Sequence, residues 1–163
     1  MGAETERPHS RPPRLEDLLL LCRSLNERGV RYLVIGGFAM ILHGYTRGTM
    51  DVDLLVDPSP ENMRKIKEAL ARLPDNAAAE LSDTDVEKYQ VVRVGDEFVV
   101  DLLGSACGVR LGDVLPSALH RTVEGVDIPF PDERSLIRMK DTVRPKDRQD
   151  ILFLKEKLKS SEE

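Results

Sequence analysis

Asp51 and Asp53 stand one residue apart in the apolar run Met50-Asp-Val-Asp-Leu-Leu-Val56. The run reads as a β-strand, and because strand side chains alternate, both carboxylates project from one face. Two carboxylates so placed repel each other unless a cation lies between them. Upstream, across thirteen intervening residues (38–50), the pair Gly36-Gly37 closes a second apolar strand, Tyr32-Leu-Val-Ile35. Two glycines ahead of a short helix let the backbone approach a polyphosphate closely. A metal clamp beside a phosphate cradle is the equipment for moving a phosphoryl or nucleotidyl group.

The elements that must position these groups follow from the apolar pattern. Leu15, Leu18, Leu19, Cys22 and Leu25 predict a helix over 14–28, stopped by Gly29. A buried strand at 31–35 leads through the glycine pair into a short helix to His43, ended by Gly44, and the carboxylate strand spans 50–56. Ser59-Pro60 starts a helix whose buried side is Met63, Ile66, Leu70 and Leu73. Residues 74–87 are acidic and small, and read as a loop or a weak helix. Strands near 88–94 and 97–103 flank Gly95-Asp96, which reads as a tight hairpin. A short helix falls within 111–119, and Val123-Glu-Gly-Val126 reads as a second small hairpin leading to Ile128-Pro-Phe-Pro131. Helices at 132–142, capped by Asp132, and at 146–158, preceded by Pro145, close the chain. The sum is an α/β (α+β) domain, a small mixed or antiparallel sheet flanked by helices.

Bulk properties agree with one domain over 14–158. A chain of 163 residues buries about 70 % of the surface its unfolded form exposes. Residues 1–13, polar and proline-rich, are expected to be disordered, and 159–163 frayed. Hydrophobic content of 40 % and charged content of 33 % describe a soluble globule. The run Leu18-Leu-Leu-Leu-Cys22 is too short to span a bilayer, so no membrane association is expected. Cys22 and Cys107 form no metal-ligand spacing with each other or with the histidines, and read as reduced thiols of a cytoplasmic protein. A net charge of −5 disfavours a surface built to coat long nucleic acid.

The composite Ile35-Gly36-Gly37, residues 38–50, then Asp51-Val-Asp53-Leu54 resembles the signature of the polymerase-beta-like nucleotidyltransferase superfamily. The fuller string Gly36-Gly-Phe-Ala39, His43-Gly44, Arg47-Gly-Thr49, Asp51-Val-Asp53 is similar to its small bacterial members. Those are the aminoglycoside and lincosamide nucleotidyltransferases and the abortive-infection-type toxin nucleotidyltransferases of toxin–antitoxin systems. The resemblance implies that Asp51 and Asp53 bind divalent cations and that a carboxylate on a later strand completes the site. Asp101, in Phe98-Val-Val-Asp-Leu-Leu103, is the candidate, since an acid among apolar strand residues is costly without a partner. Asp96 and Glu97 are alternatives, placed at a hairpin tip where exposed charge is ordinary. Two Mg²⁺ ions about 4 Å apart, with Mn²⁺ as a substitute, require such hard oxygen ligands. By the same resemblance Asp101 bridges the metals or serves as general base, and backbone N–H groups near Gly36 and Gly37 hold the phosphates of an NTP such as ATP.

Arg47 and Thr49 precede the carboxylates, where a cation and a hydroxyl can reach incoming phosphates; alternatively Arg47 neutralises Asp51 or Asp53. His43 reads as a packing residue, and His9 and His120 have no assigned role. Lys140 follows the buried face of its helix, and the toxin members carry a related Lys/Asp-rich segment, which implies contact with nucleotide phosphate. Asp147 shares a stripe with Ile151, Leu154 and Leu158, and either lines a cleft or answers the helix dipole; Asp150 follows it without an assigned role. The expectation is a transferase moving NMP from an NTP to a hydroxyl of a small molecule, a tRNA or a protein, with release of pyrophosphate. A homodimer or a partner protein can complete the acceptor site. The rival readings are a catalytically inactive nucleotide- or metal-binding module that regulates a partner, and a carboxylate-based phosphohydrolase.

Overall fold

Strand alternation divides one four-stranded sheet into two faces of different chemistry. In this computed structural model, which describes residues 10–161, the strands are β1 (Tyr32–Ile35), β2 (Asp51–Val56), β3 (Val91–Gly95) and β4 (Val99–Leu103). Their order is β1-β2-β4-β3. β1 lies antiparallel to β2, β2 parallel to β4, and β4 antiparallel to β3. The helices are α1 (Leu15–Glu27), α2 (Gly36–Leu42), α3 (Pro60–Leu70), α4 (Asp85–Lys88), α5 (Leu111–Val114), α6 (Glu133–Met139) and α7 (Pro145–Ser161). Two small hairpins, β5 (Ser105–Ala106) with β6 (Val109–Arg110) and β7 (Leu119–Val123) with β8 (Val126–Phe130), complete the mixed α/β fold.

One sheet face carries Val34, Val52, Leu54, Val92, Val100 and Leu102, and packs on α1, α3 and β8 in the main core. Each of its fully buried Leu and Ile side chains stabilises the fold by about 1.5–3 kcal/mol. The other face begins apolar: Leu33, Ile35 and Leu55 meet Met40, Leu136 and Leu154 in a second cluster. Toward β3 that same face turns polar, with Asp53 opposite Asp101 across β2–β4 and Arg93 opposite Asp101 across β3–β4. Half of one face is thus core, and the other half is available for chemistry.

Several boundaries differ from the expectation, each for a local reason. On α1 the buried apolar residues are Leu18, Leu19, Leu21, Cys22 and Leu25, so Leu18, Leu19, Cys22 and Leu25 are buried as expected while Leu15 is 46 % exposed. The 74–87 stretch holds a 3₁₀ turn, Ala77–Glu80, and the single-turn α4, so β3 begins only at Val91. The β3–β4 connection has three residues rather than a two-residue turn, because Gly95 pairs with Val99. Asp96 explains this. It is fully buried, not an exposed tip charge, and its carboxylate accepts from the N–H groups of Asp75 (3.0 Å), Ala77 (2.9 Å) and Glu97 (2.8 Å). In the β7–β8 loop, Glu124 and Gly125 both have positive φ, as a two-residue loop of type I′ requires.

The chain ends differ as well. Residues 1–9 and 162–163 lie outside the described residues, and His9 with them. Residues 10–13, expected to be disordered, are held in place. The Ser10 hydroxyl donates to the Asp96 carbonyl at 2.7 Å, and the Arg11 N–H donates to that of Glu97 at 2.9 Å. The Arg11 guanidinium forks onto Asp17 at 2.7 and 2.9 Å. At the other end α7 continues through Ser161, past the expected stop at 158.

Candidate functional site

The parallel register of β2 and β4 sets Asp53 directly beside Asp101, and Asp51 is two residues along the same face. Asp51, Asp53 and Asp101 each present a carboxylate oxygen within 4.8 Å of the others. Three oxygens so clustered form a hard, anionic donor set that can hold a divalent metal ion. The electrostatic strain falls on Asp53. Burial first, then the charges of Asp101 and Asp51, push its carboxyl up to about 7, and Lys140 only partly offsets them. A bound cation would relieve such crowding of negative charge on a buried carboxyl.

Gly36 is required by this cluster. Its φ is +67°, and a Cβ there would come within 2.1 Å of Asp53 Oδ2. Gly37 does the same for Thr49, whose Oγ1 would lie 2.6 Å from an added Cβ. The space these glycines open is therefore filled by two side chains of the chain itself, so the contact they make in this structure is with Asp53 and Thr49. The Thr49 hydroxyl donates to the Asp51 carbonyl at 2.9 Å and so braces the start of β2.

A cavity of about 370 Å³ opens over the carboxylates, within the range of small-molecule sites. Gly36, Arg93, Lys140, Arg144 and Asp147 line it with the three aspartates, and Val91, Leu103, Ala106, Leu136 and Met139 supply apolar wall. Gly37, Thr49 and Arg47 are not among its lining residues. Arg47 belongs to a separate, smaller depression with Tyr45 and Lys146, and pairs with Asp150 at 2.5 Å rather than with Asp51 or Asp53. No model of a known protein family matches the chain, and no curated protein matches it significantly. The site therefore has to be read from its own chemistry.

Two features of that chemistry escaped the sequence pattern. Arg93 is the first: its Nε donates to Asp101 Oδ1 at 3.0 Å and its Nη2 to Asp101 Oδ2 at 3.1 Å, with Asp51 Oδ2 at 3.5 Å. Strand alternation together with the three-residue connection was sufficient to put residues 93 and 101 on one face, but a two-residue hairpin moves the register. Asp150 is the second. It is 1 % exposed and its Oδ2 accepts from both Lys140 (2.9 Å) and Arg47 (2.5 Å), while Oδ1 is buried with no hydrogen-bond partner. Asp147 sits beside it, 3.8 Å from Lys140 Nζ. Burial alone would raise the Asp147 carboxyl, but hydrogen bonds from Thr142 and Arg144 and the charges of Lys140 and Arg144 outweigh it, and its pKa falls.

His43 stands apart from the site, as expected of a packing group. Its Nε2 donates to the Pro131 carbonyl at 2.8 Å, Nδ1 faces Lys157 Nζ at 2.8 Å, and the ring meets Phe130 edge-on. Burial holds it neutral by lowering its pKa. His120 pairs with Asp127 on the surface. Both cysteines are thiols, Cys22 in the core and Cys107 exposed at the β5–β6 turn.

Proposed function

We propose that the protein is a metal-dependent nucleotidyltransferase of the polymerase-beta-like kind, which moves NMP from an NTP to an acceptor hydroxyl. The observation that carries this reading is the β2–β4 register, which gathers Asp51, Asp53 and Asp101 into one donor set under an open cavity. Asp51, Asp53 and Asp101 would hold the metal, Mg²⁺ or Mn²⁺. When bound, the metal makes the acceptor hydroxyl more acidic and offsets charge on the departing pyrophosphate. Asp101 is the third ligand or the base that takes the hydroxyl proton as oxygen attacks the α-phosphorus. The new P–O bond forms as the bond to pyrophosphate breaks, and the proton goes to the carboxylate. Lys140, steadied by Asp150, turns an ammonium toward the phosphates, and the backbone at Gly36 borders the same cavity. Arg47 and Thr49 support the loop ahead of the carboxylates. The apolar wall formed by Val91, Leu103 and Ala106 offers a surface for the base or the acceptor.

The acceptor is a small molecule, or a hydroxyl of a tRNA or protein, with a second copy or a partner protein completing its binding surface. One observation favours the second reading, an inactive module of the same fold: Arg93 engages both oxygens of Asp101. Incubation with each labelled NTP and Mg²⁺ separates the two. The transferase reading expects label transfer or pyrophosphate release by the wild type and none by Asp53→Ala. Metal-dependent nucleotide binding without turnover across a broad acceptor panel supports the module. Orthophosphate released with no transfer product points instead to a phosphohydrolase.

A further inference from the structure

We propose that Arg93 is the resident counter-ion of the carboxylate cluster, that a metal must displace it from Asp101, and that the displaced guanidinium then meets the donor's phosphates. This rests on the metal site proposed above. The register places Arg93 directly opposite Asp101, so its reach is built into the sheet rather than chosen by a mobile loop. Its two donors, at 3.0 and 3.1 Å, cover both oxygens along one edge of the carboxylate, the edge a chelating cation would use. A second contact reaches Asp51 Oδ2 at 3.5 Å, so the same guanidinium spans two of the three acids.

The other cations that line the cavity already face carboxylates: Lys140 Nζ sits 2.9 Å from Asp150 Oδ2, and Arg144 Nε 2.7 Å from Asp147 Oδ2. Arg93 thus offsets one of the negative charges that a metal would otherwise answer. A guanidinium does not lose its proton, so it cannot yield by neutralisation and must move. It has room to do so. β3 is an edge strand, the Arg93 side chain is 32 % exposed, and it already lines the cavity. Swung outward, it offers a planar fork suited to a triphosphate. Metal and nucleotide therefore bind as a pair: metal expels the guanidinium, and phosphate gives it a new partner. By linkage each tightens the other.

The test is Mn²⁺ titration of the full chain, read by loss of the free-ion paramagnetic resonance signal. It is run with and without a nucleoside triphosphate carrying a non-hydrolysable α–β bridge, against a protein-free titration that gives the Mn²⁺ taken up by the nucleotide itself. Arg93→Gln should tighten binding of Mn²⁺ alone by about tenfold, the worth of one charge-assisted pair. Arg93→Lys, which keeps the charge and loses the fork, should fall between. The nucleotide should tighten Mn²⁺ binding to the wild type by a larger factor than to Arg93→Gln. Unchanged or weaker Mn²⁺ binding in both folded variants overturns the role of Arg93 and leaves the metal site standing. Equal Mn²⁺ binding by wild type and Asp53→Ala overturns the metal site itself.

Discussion

At the scale of single residues, the site is a problem of uncompensated charge, and Asp53 carries most of it. Its carboxyl is pushed from 3.8 to about 7 in the folded chain, chiefly by burial and then by Asp101 and Asp51. A raised carboxyl favours the folded state while protonated, so its contribution is complete below about pH 4 and disappears as the pH rises through about 7. In the metal-free protein, Asp53→Asn should therefore gain stability relative to wild type as the pH rises across that window. Melting curves in chelator between pH 4 and 8 measure the difference, and a gap that does not widen with pH contradicts the assignment. Asp150 presents a different case, a buried acid whose Oδ2 has two cationic partners in place while Oδ1 has none. Asp150→Ala leaves Lys140 and Arg47 without their shared acceptor and should cost about 3 kcal/mol, measured by urea unfolding. Glu156→Ala, at an exposed residue of α7, is the control and should cost far less.

At the scale of elements, the strand that bears the carboxylates is shaped by the glycine turn before α2. Gly36 has the left-handed φ of +67° and sits against Asp53, whereas Gly29, with a φ of +66°, has nothing within 4 Å of an added Cβ. The pair separates backbone strain from side-chain collision. Gly29→Ala should cost about 1 kcal/mol from conformation alone. Gly36→Ala should cost more and should also weaken Mn²⁺ binding, because Asp53 has to move. Equal losses in both variants, with Mn²⁺ affinity intact, would mean that the close approach has no bearing on the site. The carboxylate strand and the glycine pair were legible from local pattern. The apolar alternation of β2 and the helix stop at Gly44 need no distant information. The β3–β4 turn was misread by one residue, because its length depends on the buried Asp96 binding the backbone of the 75–77 segment.

At the scale of the whole molecule, one sheet face divides between a core patch and a charged patch, and the latter is what metal should stabilise. Saturating Mn²⁺, at about a hundred times its dissociation constant, should raise unfolding stability by about 2.7 kcal/mol. Asp53→Ala should show none of this gain in the same thermal-shift experiment. The C-terminal helices close the cavity from the side: α6 contributes Leu136 and Met139, and Asp147 of α7 lines it beside Lys140 and Arg144. Among the described residues, no helix is long and apolar enough to cross a membrane.

The positions of Asp51, Asp53 and Asp101 on apolar strands could be read from residue order, since the side to which a strand residue points is a matter of parity along the backbone. Their convergence could not, because it depends on β2 and β4 pairing in parallel with 53 beside 101. The same limit hid Arg93, whose partner is set by a cross-strand register, and Asp150, which meets Arg47 across 103 residues of chain. Backbone alternation is a short-range property and survives in the order of residues. Which charges neutralise which is settled only when packing brings distant segments together and removes the water between them.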